Sequence, residues 1–317
     1  DQALSADVVF KINKPHNEEI ERMRTGALLV SLLDMCHDDG TWGKLAHKGV
    51  NAIALELIPR ISRAQTMDVL SSQANISGYR AVLESTALFG RFYPMMMTSA
   101  GSAKPARVLV LGAGVAGLQA IATARRLGAQ VWGYDVRPEV REQIQSLGAK
   151  FVDLHLDEDG SGAGGYAKQL SEDAQEREQE LLGEHIKLAD IVISTAQIPC
   201  MPAPILITEE AVRGMRTGSV VVDIAAGTGG NCELTVAGET VNRHGVIICG
   251  VVNFTTLMPT DASNFFARNL FNLLDLILQH GEGAIDLNTA LDDEIISCSL
   301  ITRNGRLRFG ENEKKAS

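Results

Sequence analysis

Three glycines in the segment Leu111–Gly117 have the spacing G-x-G-x-x-G, which is typical of a turn that binds a pyrophosphate through its backbone. Gly112 allows a tight turn, Gly114 lets the phosphates approach the main chain, and Gly117 lets the following helix pack closely on the strand. A helix predicted at Ala116–Leu127 would direct its N-terminal N–H groups and its dipole at the anion. The alternative is a glycine turn that serves packing alone. The predicted cofactor-binding residues of this turn are Gly112, Gly114, Val115, Ala116 and Gly117.

An acidic residue, Asp135, directly follows the next predicted strand, Gln130–Tyr134. At this place in a dinucleotide-binding fold a carboxylate accepts the hydroxyls of the adenosine ribose, and its charge would repel a 2′-phosphate. Asp135 therefore favours NAD(H) over NADP(H). Arg137 leaves that preference open, because a nearby cation can accommodate a 2′-phosphate. The predicted nucleotide contacts here are Asp135, Val136 and Arg137.

A second set of polar residues precedes and opens a long predicted helix. Arg60 offers a rigid fork of donors, and Gln65 offers both donors and acceptors. Asp68 and Ser71 are spaced i, i+3, so both can contact one ligand amide, as a nicotinamide carboxamide requires. The alternative is that Ser62 caps the helix while the charged side chains are solvated. We predict catalytic roles for Arg60, Gln65, Asp68 and Ser71, and cofactor contacts for Arg60, Ile61, Ser62 and Gln65.

A glycine-rich segment, Asp159–Gly165, precedes Tyr166 and a strongly polar predicted helix. Its composition is typical of flexible chain, so beside a nucleotide-binding fold we predict a lid that closes over the cofactor. The alternative is a surface linker. The predicted cofactor contacts of the lid are Gly165 and Tyr166.

The loop Thr195–Pro199 follows the predicted strand Ile191–Ser194. Ligands of doubly wound sheets bind at the carboxyl ends of the strands, where this loop begins. Ala196 and Gln197 are therefore predicted cofactor contacts.

Apolar runs alternate with helix-compatible stretches along the chain, which is the pattern of parallel sheets. The predicted strands are Asp7–Ile12, Ala27–Leu32, Asn51–Leu55, Arg107–Leu111, Gln130–Tyr134, Ile191–Ser194, Ser219–Asp223 and Val246–Gly250, and the predicted long helices are Ser62–Phe89 and Ser263–His280. The predicted fold class is α/β, with two Rossmann-like doubly wound parallel-sheet domains joined by long helices and a cleft between them. We assign residues 1–75 plus 263–317 to the first domain and residues 76–262 to the nucleotide-binding domain.

The composition excludes several classes of function. The 317 residues include 29 Lys plus Arg and 39 Asp plus Glu, giving a net charge of −10, so we predict no surface for nucleic acid. The five cysteines form no C-x-x-C pair and the seven histidines are dispersed, so we predict no metal site. Apolar stretches fall short of the roughly 20 residues that a membrane span needs.

Six segments of the chain together form a recognisable pattern: Arg60–Ser72, Gly78–Arg80, Val110–Leu118, Tyr134–Glu139, Gly229–Glu233 and Asp261–Ser263. They resemble the NAD(H)-binding domain of proton-translocating nicotinamide nucleotide transhydrogenase. The resemblance covers nearly the whole chain. It implies that a nicotinamide is surrounded by the positions Arg60, Gln65, Asp68 and Ser71. It also implies that Asp135 binds the adenosine ribose and that a mobile loop ending in Tyr166 closes on the nucleotide.

The same resemblance implies an activity that the chain performs with partners. NAD(H) bound here would exchange hydride directly with NADP(H) on a partner domain, and a membrane domain outside this chain would couple the transfer to proton translocation. Transfer between two nicotinamide C4 atoms needs near-attack geometry and exclusion of water rather than a proton donor. The resemblance further implies a homodimer, with Ala225–Val236 a candidate hairpin at its interface. The expected location is a soluble domain at the cytoplasmic face of a bacterial inner membrane, or at the mitochondrial matrix side.

The sequence departs from the family pattern at three places. A further β-α segment is expected before Asp1, so we expect the first domain to be truncated at its N-terminus. Cys200 and Met201 stand where Gly-Lys is expected, and Gln197 stands where Leu is common.

Two other functions stay open. Alanine dehydrogenase has a similar fold and uses a His and a Lys near its substrate. The segment Val30–His37 does not place a His in that pattern, whereas Lys11 and Lys14 keep this alternative open. The third possibility is a non-catalytic NAD-sensing module that regulates a partner.

Overall fold

The computed structural model describes residues 2–155, 158, 160–162, 168–281, 283 and 285–308. The strands are β1 Val8–Phe10, β2 Leu28–Ser31, β3 Asn51–Ala54, β4 Met96–Thr98, β5 Gly101–Ala103, β6 Arg107–Leu111, β7 Gln130–Tyr134, β8 Lys150–Phe151, β9 Ile191–Ser194, β10 Val220–Asp223, β11 Thr240–Arg243, β12 Val246–Cys249, β13 Leu300–Arg303 and β14 Arg306–Leu307. The α-helices are α1 Asn17–Arg22, α2 Thr41–Lys48, α3 Val69–Leu88, α4 Val115–Arg126, α5 Arg141–Ser146, α6 Glu172–Lys187, α7 Glu209–Gly214, α8 Pro259–His280, α9 Leu287–Ala290 and α10 Glu294–Ser299. Within the described ranges, no helix is both long and apolar enough to span a bilayer.

The chain divides into two compact units. The first is formed by Asp1–Ser72 with Ser263–Ser317, and the second by Gln73–Ala262. Both boundaries fall within long helices, α3 and α8.

The first unit contains a five-stranded sheet in the order β1-β2-β3-β13-β14. β1, β2 and β3 run parallel, whereas β13 is antiparallel to both of its neighbours. Because successive side chains of a strand point to opposite faces, β2 buries Leu28 and Val30 in one core and Leu29 in another. α8 contributes Leu273 to the first core, and α2 contributes Leu45 to the second. Both faces of β2 are covered, which explains its continuous apolar sequence.

The second unit contains a seven-stranded sheet in the order β11-β12-β10-β9-β6-β7-β8. β11 is antiparallel to β12, and the other neighbouring pairs are parallel. From β6 the chain continues outward through β7 and β8, and it later returns to the other side of β6 with β9. The strand order therefore reverses between β6 and β9, where ligands of such sheets bind. Leu111 and Ser194 end these two strands as paired residues, so the loops that follow begin side by side.

The predicted α/β class with parallel sheets is confirmed. Three strands that the sequence did not predict, β11, β13 and β14, add antiparallel pairs to these sheets. β11 leads to β12 through His244-Gly245, and β13 leads to β14 through Asn304-Gly305. These four residues have φ between +48° and +80°, as in two-residue hairpin turns, and such turns impose antiparallel pairing.

The predicted long helix Ser62–Phe89 is divided in the structure. A 3₁₀ helix, Ser62–Met67, precedes α3, which begins directly after Asp68. The alternative in which Ser62 caps this helix is wrong, because the side chain of Ser62 caps neither element. The cap of α3 is Asp68, whose Oδ1 accepts a hydrogen bond from Ser71 N at 2.9 Å.

The segment Ala225–Val236 forms no hairpin. Its first residues belong to the 3₁₀ helix Ile224–Thr228. This helix ends in a turn at Gly229 and Gly230, which have φ of +108° and +87°. Asn231, which follows, is fully buried in the second unit. Among the described strands, β4 and β5 form a separate two-stranded hairpin that the sequence did not predict.

Candidate functional site

The glycine turn lies at the carboxyl end of β6, and its three glycines have different surroundings. Gly112 has φ +90°, and a Cβ there would lie 2.7 Å from Thr195 Oγ1. A Cβ on Gly117 would lie 1.9 Å from Gly112 O. Gly114 is the N-cap of α4, and apart from its chain neighbours and its own helix no heavy atom of the described residues lies within 4 Å of a Cβ built on it. The backbone itself therefore requires Gly112 and Gly117, whereas Gly114 leaves open space at a helix N-terminus, as a phosphate would need.

Asp135 follows β7, and its side chain joins that strand to the glycine turn. Its Oδ2 accepts a hydrogen bond from Ala113 N at 2.7 Å, and Gly112 N donates to Tyr134 O at 2.9 Å. The carboxylate is 7% exposed. The residue predicted to bind a ribose is thus also a fixed part of the turn.

Arg137 holds the same carboxylate from the other side. Its Nε donates to Asp135 Oδ1 at 2.8 Å and its NH2 group donates to Oδ2 at 2.7 Å. This contact raises the pKa of the Arg137 guanidinium above its ordinary value. Because the charge of Asp135 is compensated, its repulsion of a 2′-phosphate is weaker than the sequence alone suggested.

A cavity of about 400 Å³ opens beside Asp135. Its lining includes Val136, which was a predicted contact, and the aromatic ring of Phe151. The guanidinium of Arg141 lies 4.7 Å from the centre of that ring. A cavity of this size with apolar and aromatic walls is suited to a planar base next to a ribose.

The loop after β9 is fixed beside the glycine turn. Thr195 Oγ1 donates to Gly112 O at 3.1 Å, so Ala196 lies at the switch point as predicted from the fold. Gln197, the other predicted contact, is exposed, and its amide reaches Thr228 Oγ1 at 3.5 Å, a long and weak contact.

Sequence reasoning missed the residue that orients this loop. Asn231 Oδ1 accepts from Ala196 N at 3.0 Å, while Asn231 Nδ2 donates to Ala196 O at 2.9 Å and to Pro204 O at 2.8 Å. Asn231 N in turn donates to Asp223 Oδ2 at 2.8 Å, and Asp223 is fully buried. The segment Gly229–Glu233 carries part of the family resemblance, but the role predicted for it was in the candidate interface hairpin Ala225–Val236 and not in the nucleotide site.

In the first unit, the four predicted catalytic residues line one cavity of about 370 Å³. Its lining residues are Pro59, Arg60, Ile61, Ala64, Gln65, Asp68 and Ser71. Both oxygens of Asp68 are engaged by Ser71, whose N donates to Oδ1 at 2.9 Å and whose Oγ donates to Oδ2 at 2.6 Å. Ser62 is exposed and is not among the lining residues.

The cavity in the first unit offers recognition groups rather than an acid and base pair. Arg60 supplies donors, and Gln65 supplies both a donor and an acceptor, as a carboxamide ligand requires. In the part of the chain that the structure describes, no group of three or more His, Cys, Asp or Glu side chains is placed to hold a metal ion. The predicted lid contacts Gly165 and Tyr166 lie outside the described residues.

Comparison with known proteins adds a family to this geometry. The model of the alanine dehydrogenase/PNT N-terminal domain matches residues 1–77, and that of the alanine dehydrogenase/PNT C-terminal domain matches residues 81–310. The chain is 46% identical over 301 residues to the NAD(P) transhydrogenase subunit alpha of Haemophilus influenzae, covering 95% of this chain and 58% of that protein. The chain thus spans little more than half the length of that relative.

Two further relatives are covered over more of their own length. The first part of the NAD(P) transhydrogenase subunit alpha of Rhodospirillum rubrum is 45% identical over 314 residues, covering 96% of this chain and 81% of that protein. A crystal structure of transhydrogenase from Sinorhizobium meliloti superposes with a TM-score of 0.82 at 40% identity, covering 98% of this chain and 81% of that one. Sequence and fold therefore point to the same relatives.

Proposed function

This chain belongs to the alanine dehydrogenase/PNT family, and from that premise we propose that it is the NAD(H)-binding part of a transhydrogenase. The observation that carries the proposal is the cavity of the first unit. The sequence predicts Arg60, Gln65, Asp68 and Ser71 as catalytic residues from their side-chain groups and, for the last two, their spacing, and all four line this cavity. A dehydrogenase fold alone would not require these side chains to meet.

The second unit would hold the ADP half of the nucleotide. Gly114 and the N-terminal N–H groups of α4 are suited to the pyrophosphate, and Asp135 to the adenosine ribose. Val136 and Phe151 line the cavity that would accept the adenine. We assign the cofactor NAD(H) to this chain because Asp135 lies where a ribose carries hydroxyl donors, which would share its oxygens with Arg137 and Ala113.

The first unit would hold the nicotinamide. Arg60 and Gln65 would bind its carboxamide and fix the orientation of the ring, while Asp68 keeps Ser71 and the start of α3 in place. When bound, the nicotinamide supplies the hydride chemistry itself. The side chains would orient it and exclude water, which suits a cavity that offers no acid and base pair.

The rest of the activity is proposed to lie with partners. Hydride would pass to or from NADP(H) on a partner domain, and a membrane domain would couple the transfer to proton movement. We also propose a homodimer, located at the cytoplasmic face of a bacterial inner membrane or the matrix side in mitochondria. Since Ala225–Val236 forms no hairpin, this proposal rests on the family alone, and a measurement of molecular mass in solution tests it.

The two lysines that kept alanine dehydrogenase open are engaged in ion pairs. Lys11 Nζ lies 2.5 Å from Glu19 Oε1, and Lys14 Nζ lies 3.1 Å from Asp39 Oδ2 and 3.7 Å from Asp34 Oδ2. Each ammonium group would have to give up a carboxylate partner in order to contact a substrate. The structure therefore favours the transhydrogenase proposal over alanine dehydrogenase.

Paired titrations of the purified chain with NADH and NADPH test the proposal. Binding is monitored by tryptophan and nicotinamide fluorescence. We expect selective binding of NADH, no alanine-dependent NADH production, and NADPH oxidation by an NAD analogue when an NADP(H)-binding domain is added. Preference for NADPH would overturn the assignment of Asp135. Alanine turnover would indicate alanine dehydrogenase, and NADH binding without hydride transfer in the mixture would indicate a sensing module.

A further inference from the structure

We infer that Arg63, clamped by Asp293, is a positioning residue for the cavity of Arg60, Gln65, Asp68 and Ser71, an inference that rests on the proposed function. Arg63 lies in the same 3₁₀ helix as Gln65 but does not line the cavity. Its role would be to hold the helix that presents Gln65.

The contact between Arg63 and Asp293 has the geometry of a strong ion pair. The NH1 group of Arg63 donates to Asp293 Oδ2 at 2.5 Å, and the NH2 group donates to Oδ1 at 2.9 Å. Two parallel donors on two carboxylate oxygens fix both the distance and the plane of the guanidinium. A single ammonium group could not reproduce this arrangement.

Asp293 is itself rigidly held. Its side chain is 5% exposed, and its Oδ1 accepts from Ile295 N at 2.9 Å, which makes it the N-cap of α10. His280 Nε2, at the end of α8, lies 3.2 Å from Oδ2. The hydrogen bonds from Arg63 are the largest of the causes that lower the pKa of Asp293 to about 2. The anchor is thus a carboxylate that stays charged throughout the working pH range.

A second tether holds the other end of the 3₁₀ helix. The amides of Asn269 and Asn272, both on α8, donate to Thr66 O at 2.8 Å and 3.0 Å. Gln65 therefore lies between two fixed points, Arg63 and Thr66. Since 3₁₀ helices have poor internal hydrogen-bond geometry, their position depends strongly on such external contacts.

These contacts predict a particular kinetic effect. Loosening the helix at Arg63 leaves Arg60 and the glycine turn in place, so the nucleotide can still bind. The orientation of Gln65 becomes less defined, and a misplacement of about 1 Å can slow a reaction by roughly 100-fold. Loss of the clamp should therefore lower the rate of hydride transfer much more than the affinity for NADH.

The test compares Arg63→Ala and Arg63→Lys with the wild-type chain mixed with an NADP(H)-binding domain. We expect Arg63→Ala to slow single-turnover hydride transfer by about 10-fold or more while the Kd for NADH changes by less than about 3-fold. Arg63→Lys should recover part of the rate. Gln65→Asn should show the same separation of rate from affinity. Arg213→Ala is the matched control, because Arg213 is an exposed arginine that pairs with Glu209 within α7, a helix of the second unit.

A second readout does not depend on activity. Carboxyl ¹³C NMR should show Asp293 titrating at about pH 2 in the wild-type chain. Arg63→Ala should raise the pKa of Asp293 towards its ordinary value, because the largest cause that lowers it is removed, and Arg213→Ala should leave it unchanged. If Arg63→Ala does not fold, Asp293→Asn removes the charge and keeps an N-cap, and it should slow transfer in the same way.

The outcomes separate the two proposals. A wild-type chain that binds no NADH overturns the proposed function, and this inference falls with it. An active wild-type chain whose rate is unchanged by Arg63→Ala, although the pKa of Asp293 rises, overturns the positioning role alone. Equal losses of rate and affinity also overturn it, because they would show that Arg63 supports binding in general.

Discussion

The side-chain amide of Asn231 pairs with both main-chain groups of Ala196, accepting from its N at 3.0 Å and donating to its O at 2.9 Å. The same amide also donates to Pro204 O at 2.8 Å. One buried side chain therefore fixes both ends of the loop that follows β9. This loop lies against Gly112, so Asn231 orients one wall of the candidate nucleotide site without lining it.

Asn231→Asp should weaken NADH binding. The aspartate keeps an acceptor for Ala196 N but replaces two donated hydrogen bonds by a carboxylate oxygen facing two carbonyl oxygens. Leaving buried groups unpaired costs about 1–3 kcal/mol, and if half of this cost is expressed in the loop, the Kd rises by roughly 2- to 10-fold. Fluorescence titration measures the Kd.

Asn242→Asp is the control, because Asn242 is exposed and uses only its Oδ1, as an acceptor for Gly245 N. Equal affinities in both variants would show that the loop does not contact the nucleotide.

The glycine turn allows stability to be separated from binding. In Gly117→Ala the new Cβ would lie 1.9 Å from Gly112 O, so the backbone must move, and we expect a loss of roughly 3 kcal/mol of unfolding free energy or more. Gly114→Ala meets no described atom within 4 Å and has φ −72°, so its stability should change by less than about 1 kcal/mol.

Gly114→Ala should nevertheless raise the Kd for NADH by about 10-fold or more, because its methyl group occupies the approach of the phosphates. Chemical denaturation and nucleotide titration of both variants give the two quantities. Normal NADH affinity in a folded Gly114→Ala chain would contradict a pyrophosphate at this position.

The sequence predicted those parts of the molecule that depend on local patterns. The glycine spacing and the flanking strand Arg107–Leu111 lie within a few residues of one another, and the structure places them as expected. Asn231 and its partner Ala196 are 35 residues apart, and Arg63 and Asp293 are 230 apart. Spacing along the chain carries no information about such pairs, so these supports of the site emerge only from the fold.

Local signals also failed where two residues offered the same chemistry. Ser62 and Asp68 both precede helical residues, and both side chains can cap a helix. Asp68 is the residue that caps α3, because the 3₁₀ helix before it is held in place by the contacts of Thr66 and Arg63 with distant parts of the first unit. The turn Asn304-Gly305 was a readable hairpin signal that the prediction of parallel sheets overlooked.

Removing Arg137 should sharpen the preference for NADH. In Arg137→Ala both oxygens of Asp135 lose their guanidinium partner and are free to accept ribose hydroxyls, while the uncompensated charge repels a 2′-phosphate more strongly. We expect the ratio of the Kd for NADPH to that for NADH to rise by about 10-fold, which is roughly 1.4 kcal/mol.

Asp135→Ala is the complementary variant. It should raise the Kd for NADH by roughly 10- to 100-fold, since each hydrogen bond to a charged group contributes about 1.5–3 kcal/mol. Paired titrations with NADH and NADPH measure the Kd of each variant for each nucleotide. Weaker binding of both nucleotides in Arg137→Ala would show that Arg137, rather than Asp135, holds the ligand.

The last prediction concerns Glu178, a carboxyl on α6 that is 3% exposed and accepts a hydrogen bond from Tyr134 OH at 2.7 Å. Burial, the largest cause, and the charge of Asp135 together raise the pKa of Glu178 to about 7, against the opposing effect of the Tyr134 hydroxyl. A raised carboxyl pKa favours the neutral form in the folded chain. The contribution of Glu178 to the free energy of unfolding is therefore complete below about pH 4.5. As the pH rises to about 7, this contribution falls by roughly 3 kcal/mol.

Glu178→Gln should abolish this part of the pH dependence, because the amide stays neutral and its oxygen still accepts the Tyr134 hydroxyl. Unfolding free energies of the variant and the wild-type chain, measured by denaturant between pH 5 and pH 8, should diverge with rising pH in favour of the variant. Glu176→Gln makes the same substitution at an exposed position of α6 and should follow the wild-type curve. Parallel curves for Glu178→Gln and wild type would mean that Glu178 is ionised in the folded chain across this range, and that its contact with Tyr134 stabilises the charged form.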